Sequence, residues 1–152
     1  MTEVDRIQDQ LRRAFKGGAW HGPSVMEALK GVDARRAAAR PITRAHSIWE
    51  IVLHVAAWEN VVRRRLRGEW FKPSPAQNWP VPRRVDPASW RAAIARLVRG
   101  HEALRRAVAR LDDAKLMTPF KGRKYGPYFI LHGVIQHDLY HAGQIAVLKK
   151  GG

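Results

Sequence analysis

Two histidines four positions apart, His137 and His141, have the spacing in this chain that best suits metal chemistry. Residues four apart on a helix lie one turn above each other, so both imidazoles can reach a single cation. Gly133, one turn earlier on the same face, leaves room beside them, and apolar neighbours on that face predict that the pair faces the core. The spacing alone is a weak signal, because such pairs also arise by chance in helices.

A third histidine, His54, strengthens the prediction of a metal site. It falls on the apolar stripe of another predicted helix, between Ile51 and Trp58, where a buried imidazole needs a partner. One cation can serve as the partner of three imidazoles on two facing helices. Three protein ligands leave coordination positions open on the ion, as in catalytic sites. The sequence therefore predicts a divalent metal site at His54, His137 and His141, and imidazole ligands suit zinc, nickel or iron alike.

The remaining histidines and the nearby carboxylates receive more ordinary interpretations. His101, in the apolar seam of a helix, is predicted to hydrogen-bond a neighbouring helix rather than to reach the metal. His46 reads as a helix-entry residue, and His132 faces about 140° away from His137 on the same helix. Glu50 and Asp138 could orient an imidazole of the site, although a solvated surface carboxylate is the alternative for both.

Four long helical segments must position these side chains. Each has apolar residues three and four positions apart together with start and stop signals. The segments run from about residue 3 to 16, from Ser47 to about Gly68, onward from Asp86-Pro87, and from about Gly126-Pro127 to Gly151. The last of them is apolar around most of its circumference, so a dimer partner could cover part of it.

The rest of the chain is predicted to connect these helices. Ser24 and Asp33 look like caps of two short helical pieces, and the proline-rich segment 69–86 reads as a long structured loop. No alternation typical of strands and no internal repeat is present. The prediction is an all-α protein with an up-and-down arrangement of four helices in one domain, residues 1–152.

Composition and charge exclude several classes of function. The chain has no cysteine, so a thiolate metal site, a disulfide and a cysteine nucleophile are all excluded. The N-terminus lacks the pattern of a signal peptide, and no run reaches the roughly 20 apolar residues of a membrane span, so we expect a cytoplasmic protein without membrane contact. The net charge of +15 is spread along the chain, which favours a solvated surface over a nucleic-acid site.

Three stretches of the sequence resemble the DinB-like (DinB/YfiT) family, and the resemblance covers essentially the whole chain. They are Ala19-Trp-His-Gly-Pro-Ser-Val, the segment from His46 through His54 to Ala-Ala-Trp58, and His137-Asp-Leu-Tyr-His-Ala-Gly-Gln-Ile145. The resemblance implies a four-helix bundle in up-down-down-up order, commonly dimeric. It also implies a histidine triad that binds a divalent metal, with the first ligand at His54 and the final pair at His137 and His141.

The resemblance also implies what the metal is used for. It indicates a metal-dependent enzyme acting on a small molecule, either a thiol S-transferase using a low-molecular-weight thiol such as bacillithiol or mycothiol, or a hydrolase. His21, near the mouth of the site in the family, and Trp58 are expected to contact substrate, and no general base is identified. The alternative is a non-enzymatic, metal-stabilised binding protein that contacts nucleic acid through its basic surface.

Overall fold

Helices make up all the regular structure in residues 1–151, the part of the chain that the computed structural model describes. Within that range eight helices occur and no strand, which confirms the all-α prediction. They are α1 Glu3–Phe15, α2 Val25–Leu29, α3 Ala34–Ala38, α4 Ile48–Leu66, α5 Pro75–Asn78, α6 Pro87–Val108, α7 Asp113–Met117 and α8 Pro127–Gly151. None of these helices has both the length and the apolar character needed to cross a membrane.

Local capping interactions fix where the helices begin. Ser47 and Glu50 form a reciprocal capping box at the start of α4, and Asp86 caps α6 with Pro87 in its first turn, as the sequence predicts. The segment predicted as a long loop contains one additional helical turn, α5, because Ser74 and its side-chain partner three residues later form another capping box. Helix α7, which was not predicted, starts at the cap Asp112.

The four long helices contact one another in a ring. Helix α4 packs against α6 and α8, and α1 packs against the same two helices from the other side. The short helices α2 and α7 also lie against α8. Helix α8 is therefore covered by several elements of its own chain, which explains much of its apolar circumference. Four large apolar side chains in the described part of this helix nevertheless remain exposed, Tyr128, Phe129, Tyr140 and Val147.

The interior consists of two apolar clusters separated by a polar layer. One cluster contains Phe15 with Trp49 and its neighbours, and the other contains Leu11 with Leu131 and its neighbours. On α4, α6 and α8, the positions between the two clusters carry buried polar side chains, Glu59, His101 and Asp138. Buried polar groups need partners, so this layer is a second place, besides the predicted metal site, where function can be sought.

Candidate metal centre

The three histidines predicted as ligands come together where α4 packs against α8. The Nε2 atom of His137 lies 3.0 Å from Nε2 of His54 and 3.1 Å from Nε2 of His141. His54 and His141 are buried, while His137 is half-buried and faces a groove at the surface. The three imidazoles therefore direct the same ring nitrogen toward one point and leave one side open.

Hydrogen bonds on the far side of two rings set their tautomers. Nδ1 of His54 donates to the backbone carbonyl of Asn78 at 2.6 Å, and Nδ1 of His141 donates to Oε1 of Gln144 at 2.7 Å. Because each neutral ring carries its proton on Nδ1, its Nε2 presents a lone pair to the centre. His137 has only one proton to offer, so at least one lone pair has no proton to accept. A cation resolves this arrangement, and the donor set fits a divalent metal.

Burial keeps all three rings neutral, which is the state that ligates metal. It lowers the pKa of His137 to about 3, with the neighbouring imidazoles adding to the effect. The pKa of His141 falls to about 4 through burial, although its hydrogen bond to Gln144 opposes the shift. Burial also lowers the pKa of His54, against the opposing effect of the Asn78 carbonyl.

The segment between α4 and α6 lies directly on the histidine cluster. The ring of Trp79 stacks on His54 with centroids 3.7 Å apart, and His46 stacks on Trp79 at 3.6 Å. Trp58 attaches the segment to α4, since its Nε1 donates to the side-chain oxygen of Asn78 at 2.7 Å. Asn78 thus links the segment to His54 through its backbone and to Trp58 through its amide.

Two mainly apolar grooves flank the histidines. The first, with a volume of about 250 Å³, has His137 and Trp58 in its wall together with Arg65 and Phe129. The second groove has a volume of about 570 Å³, and Gln144, the partner of His141, lies in its wall. Its other lining residues are Ile42, Arg44, Ala45, His46, Ile51, Tyr140, Gly143, Val147 and Leu148. Each groove offers one arginine beside a largely apolar surface, so each can accept an apolar molecule that carries a negative group.

Of the two residues expected to contact substrate, Trp58 lies close to the centre and His21 does not contact it. The ring of Trp58 is 6.2 Å from that of His137, and both residues line the groove. His21 is exposed in the segment between α1 and α2, and within residues 1–151 it makes no hydrogen bond or ring contact with the three ligands.

The carboxylates considered as supports for the imidazoles have other surroundings. Glu50 accepts two hydrogen bonds from Arg40, at 2.7 and 2.8 Å, besides its capping role. Asp138 is fully buried and hydrogen-bonds to nothing in the described part of the chain. The supporting partners are instead Asn78 and Gln144. The sequence could have indicated Gln144 as a partner of His141, because it follows that histidine by three residues. The backbone carbonyl of Asn78 gives no such signal in the sequence.

Comparison with known proteins gives one match. A family model described as the DinB superfamily matches residues 18–145, a range that includes all three histidines of the centre. No curated protein matches the chain. No solved structure matches it either.

Proposed function

The chain belongs to the DinB superfamily, and from this membership and its histidine cluster we propose that His54, His137 and His141 bind one divalent metal ion. The metal is zinc, nickel or iron, the ions that imidazole ligands suit. We further propose that the protein is a metal-dependent enzyme, a thiol S-transferase or a hydrolase, acting on a small molecule. The observation that carries the proposal is the convergence of three Nε2 atoms at a point where at least one lone pair has no proton to accept.

The chemistry follows from the open side of the cluster. A divalent ion bound there supplies Lewis acidity, which lowers the pKa of a water or thiol that reaches it. Asn78 and Gln144 hold the His54 and His141 rings so that the same nitrogens face the ion throughout. Trp79 covers the face of His54 and excludes water from that side. His137, half-buried, lies at the side from which a substrate approaches.

The groove beside His137 supports a substrate with an apolar body. Trp58 and Phe129 provide aromatic walls, and Arg65 supplies a positive charge at the same groove. Such a charge suits an acidic thiol cofactor or an anionic substrate. We therefore propose that Trp58 contacts the substrate, because it lies in the wall of this groove. For His21, only the family resemblance supports such a contact.

We also propose the finer features of the architecture that the resemblance implies. These are one domain across residues 1–152, an up-down-down-up order of the four long helices, and a homodimer. The ring of contacts among α1, α4, α6 and α8 supports the bundle. The exposed Phe129, Tyr140 and Val147 on α8 support a contact between two copies.

The enzyme proposal is tested by turnover under metal control. Purified protein would be screened with bacillithiol, mycothiol or glutathione against electrophilic acceptors, and with ester and amide substrates without a thiol. The proposal predicts a signal that a chelator removes, that added metal restores, and that H54A lacks. H132A, which changes another histidine of α8 whose ring lies tilted against that of Tyr128, is the matched control and should retain the signal. A signal that persists in both the chelated protein and H54A would refute a role for the metal.

The alternative function rests on a basic groove at the ends of α4 and α6. Five cationic side chains line it, Arg63, Arg67, Arg106, Arg110 and Lys115. Such a surface can neutralise phosphates, so a metal-stabilised protein that binds nucleic acid without catalysis would use it. This alternative predicts DNA or RNA binding that weakens steeply with salt, survives in H54A and is lost in R106Q/R110Q. Negligible affinity at low salt would eliminate it.

A further inference from the structure

The polar layer between the two apolar clusters contains a second convergence of metal-ligating side chains. Glu59 of α4, His101 of α6 and Asp138 of α8 are at most 1% exposed. One potential donor atom from each lies within 4.8 Å of those of the other two. The triad described above uses none of these three residues.

The polar atoms of this cluster lack the partners that burial requires. Oε2 of Glu59, Nε2 of His101 and both carboxylate oxygens of Asp138 are buried without a hydrogen bond. Among residues 1–151, the single hydrogen bond of this cluster is between Nδ1 of His101 and Oε1 of Glu59, at 3.3 Å. Most buried side-chain polar atoms in proteins have at least one partner, so four unpartnered atoms at one place require an explanation.

Protonation alone does not supply the missing partners. Burial raises the pKa of Glu59 well above its usual value. Burial likewise lowers the pKa of His101 to about 3, so the close His101–Glu59 contact is not an ion pair. A neutral Glu59 beside a neutral His101 still leaves both carboxylate oxygens of Asp138 without a hydrogen bond in the described part of the chain. Within residues 1–151 no lysine or arginine forms an ion pair with either carboxyl.

We propose that Glu59, His101 and Asp138 form a second, enclosed metal site that holds one first-row divalent cation at the centre of the bundle. Two ionised carboxylates balance the charge of a divalent ion, so the occupied site is neutral in surroundings where an unbalanced charge is costly. Oxygen and nitrogen donors together suit manganese, iron(II) or zinc. Because the ligands come from α4, α6 and α8, the ion ties three of the four long helices together.

The residue next to His101 is consistent with an occupied cluster. A Cβ atom at Gly100 would stand 3.1 Å from Oε2 of Glu59, one of the unpartnered oxygens. A side chain there would press on the carboxylate and displace it. Glycine at this helical position, which lowers helix propensity, leaves the Glu59 carboxylate where it can bind.

Because the inner site is enclosed, a metal ion bound there should leave more slowly than one bound at the triad. His137 of the triad faces a surface groove, whereas all three residues of the inner cluster are shielded from solvent. A chelator should therefore remove the triad metal quickly and the inner metal only as the protein unfolds. A buried water that bridges protonated carboxyls is the competing occupant, and it predicts no inner metal at all.

Metal content of variants tests the proposal. Protein would be produced in medium supplemented with zinc, iron and manganese, and counted by mass spectrometry. H137A/H141A, which lacks the triad, should keep about one ion per chain after a brief chelator wash and lose it on denaturation. E59Q/D138N should lose that inner ion and still bind one ion that the wash removes. E50Q, which changes a buried carboxylate outside the cluster, should keep both.

The outcomes decide the two sites separately. An H137A/H141A variant without any bound ion overturns the inner site, whether or not E59Q/D138N folds, and leaves the triad proposal untouched. An anomalous-scattering peak among Glu59, His101 and Asp138 in crystals of H137A/H141A confirms the inner site. Ordinary solvent density at that position, without an anomalous signal, shows that water occupies the cluster and contradicts the proposal.

Discussion

At the scale of single residues, the hydrogen bond from His141 to Gln144 determines which ring nitrogen faces the centre where we propose that the metal binds. Replacing Gln144 with leucine removes the acceptor of the Nδ1 proton, so the ring is free to take the wrong tautomer and orientation. Losing such a supporting partner typically costs about 10- to 100-fold in metal affinity. We predict a loss in that range for Q144L in a competition titration against a chromophoric chelator.

The control for this substitution is Q136L on the same helix. Gln136 is exposed and makes no side-chain hydrogen bond among the described residues, so its affinity for metal should equal that of the wild type. Equal affinity in Q144L and Q136L would show that Gln144 does not orient His141.

At the scale of secondary structure, Glu50 stabilises the beginning of α4. Burial opposes its ionisation, yet the hydrogen bond from the Ser47 backbone and the charge of Arg40 outweigh burial and lower the pKa of Glu50 below 4.5. A carboxyl with a lowered pKa stabilises the fold above its unfolded-state value, and that contribution disappears as pH falls through the folded-state value. We predict that E50Q lowers the free energy of unfolding by about 1 kcal/mol at neutral pH.

The difference in the free energy of unfolding between E50Q and the wild type should shrink as pH falls below 4.5. Urea unfolding at several pH values measures this difference. E102Q, on an exposed carboxylate whose nearest cation, Lys16, is 3.9 Å away, should change stability by less than about 0.5 kcal/mol. A difference between E50Q and the wild type that does not vary with pH would contradict the assigned role of the carboxylate charge.

Gly126 allows the chain to enter α8 close to a neighbouring segment. A Cβ atom there would overlap the backbone carbonyl of Thr118, which cannot move aside as a flexible side chain can. We predict that G126A lowers the free energy of unfolding by at least about 2 kcal/mol in denaturant titrations. G133A, inside α8, is the control: its Cβ meets open space, so the free energy of unfolding should rise by up to about 1 kcal/mol. A G126A protein as stable as the wild type would refute the close approach.

At the scale of the whole molecule, helix starts and the His137–His141 pair could be predicted because their signals are local, whereas His54 was added from its place on an apolar stripe and from the family resemblance. Capping boxes such as Ser47–Glu50, and histidines four residues apart, are readable within one turn of helix. The His54–Asn78 bond could not be predicted, since it joins α4 to an irregular segment through a backbone atom. His101 was predicted to bond a neighbouring helix, but its convergence with Asp138 depends on how α4 and α1 hold α6 and α8 relative to each other, which local patterns do not specify.

The excess of basic residues should make stability sensitive to ionic strength. A net charge of +15 repels itself in the compact state, and salt screens that repulsion. We predict that the thermal midpoint rises by a few degrees between about 20 mM and about 300 mM KCl. R106Q/R110Q, which removes two charges from the basic groove, should show a smaller rise. A midpoint that falls with added salt would mean that attractive ion pairs dominate instead.

The central claim, a metal held by three imidazoles, is tested most directly by the metal content of untagged protein purified without chelators. Mass spectrometry would compare wild type with H141A and with H132A, the histidine control on the same helix. The account predicts that H141A contains about one zinc, nickel or iron ion per chain fewer than the wild type, and that H132A matches the wild type. Equal metal content in H141A and wild type, or no metal in either even after metal is added, would contradict it.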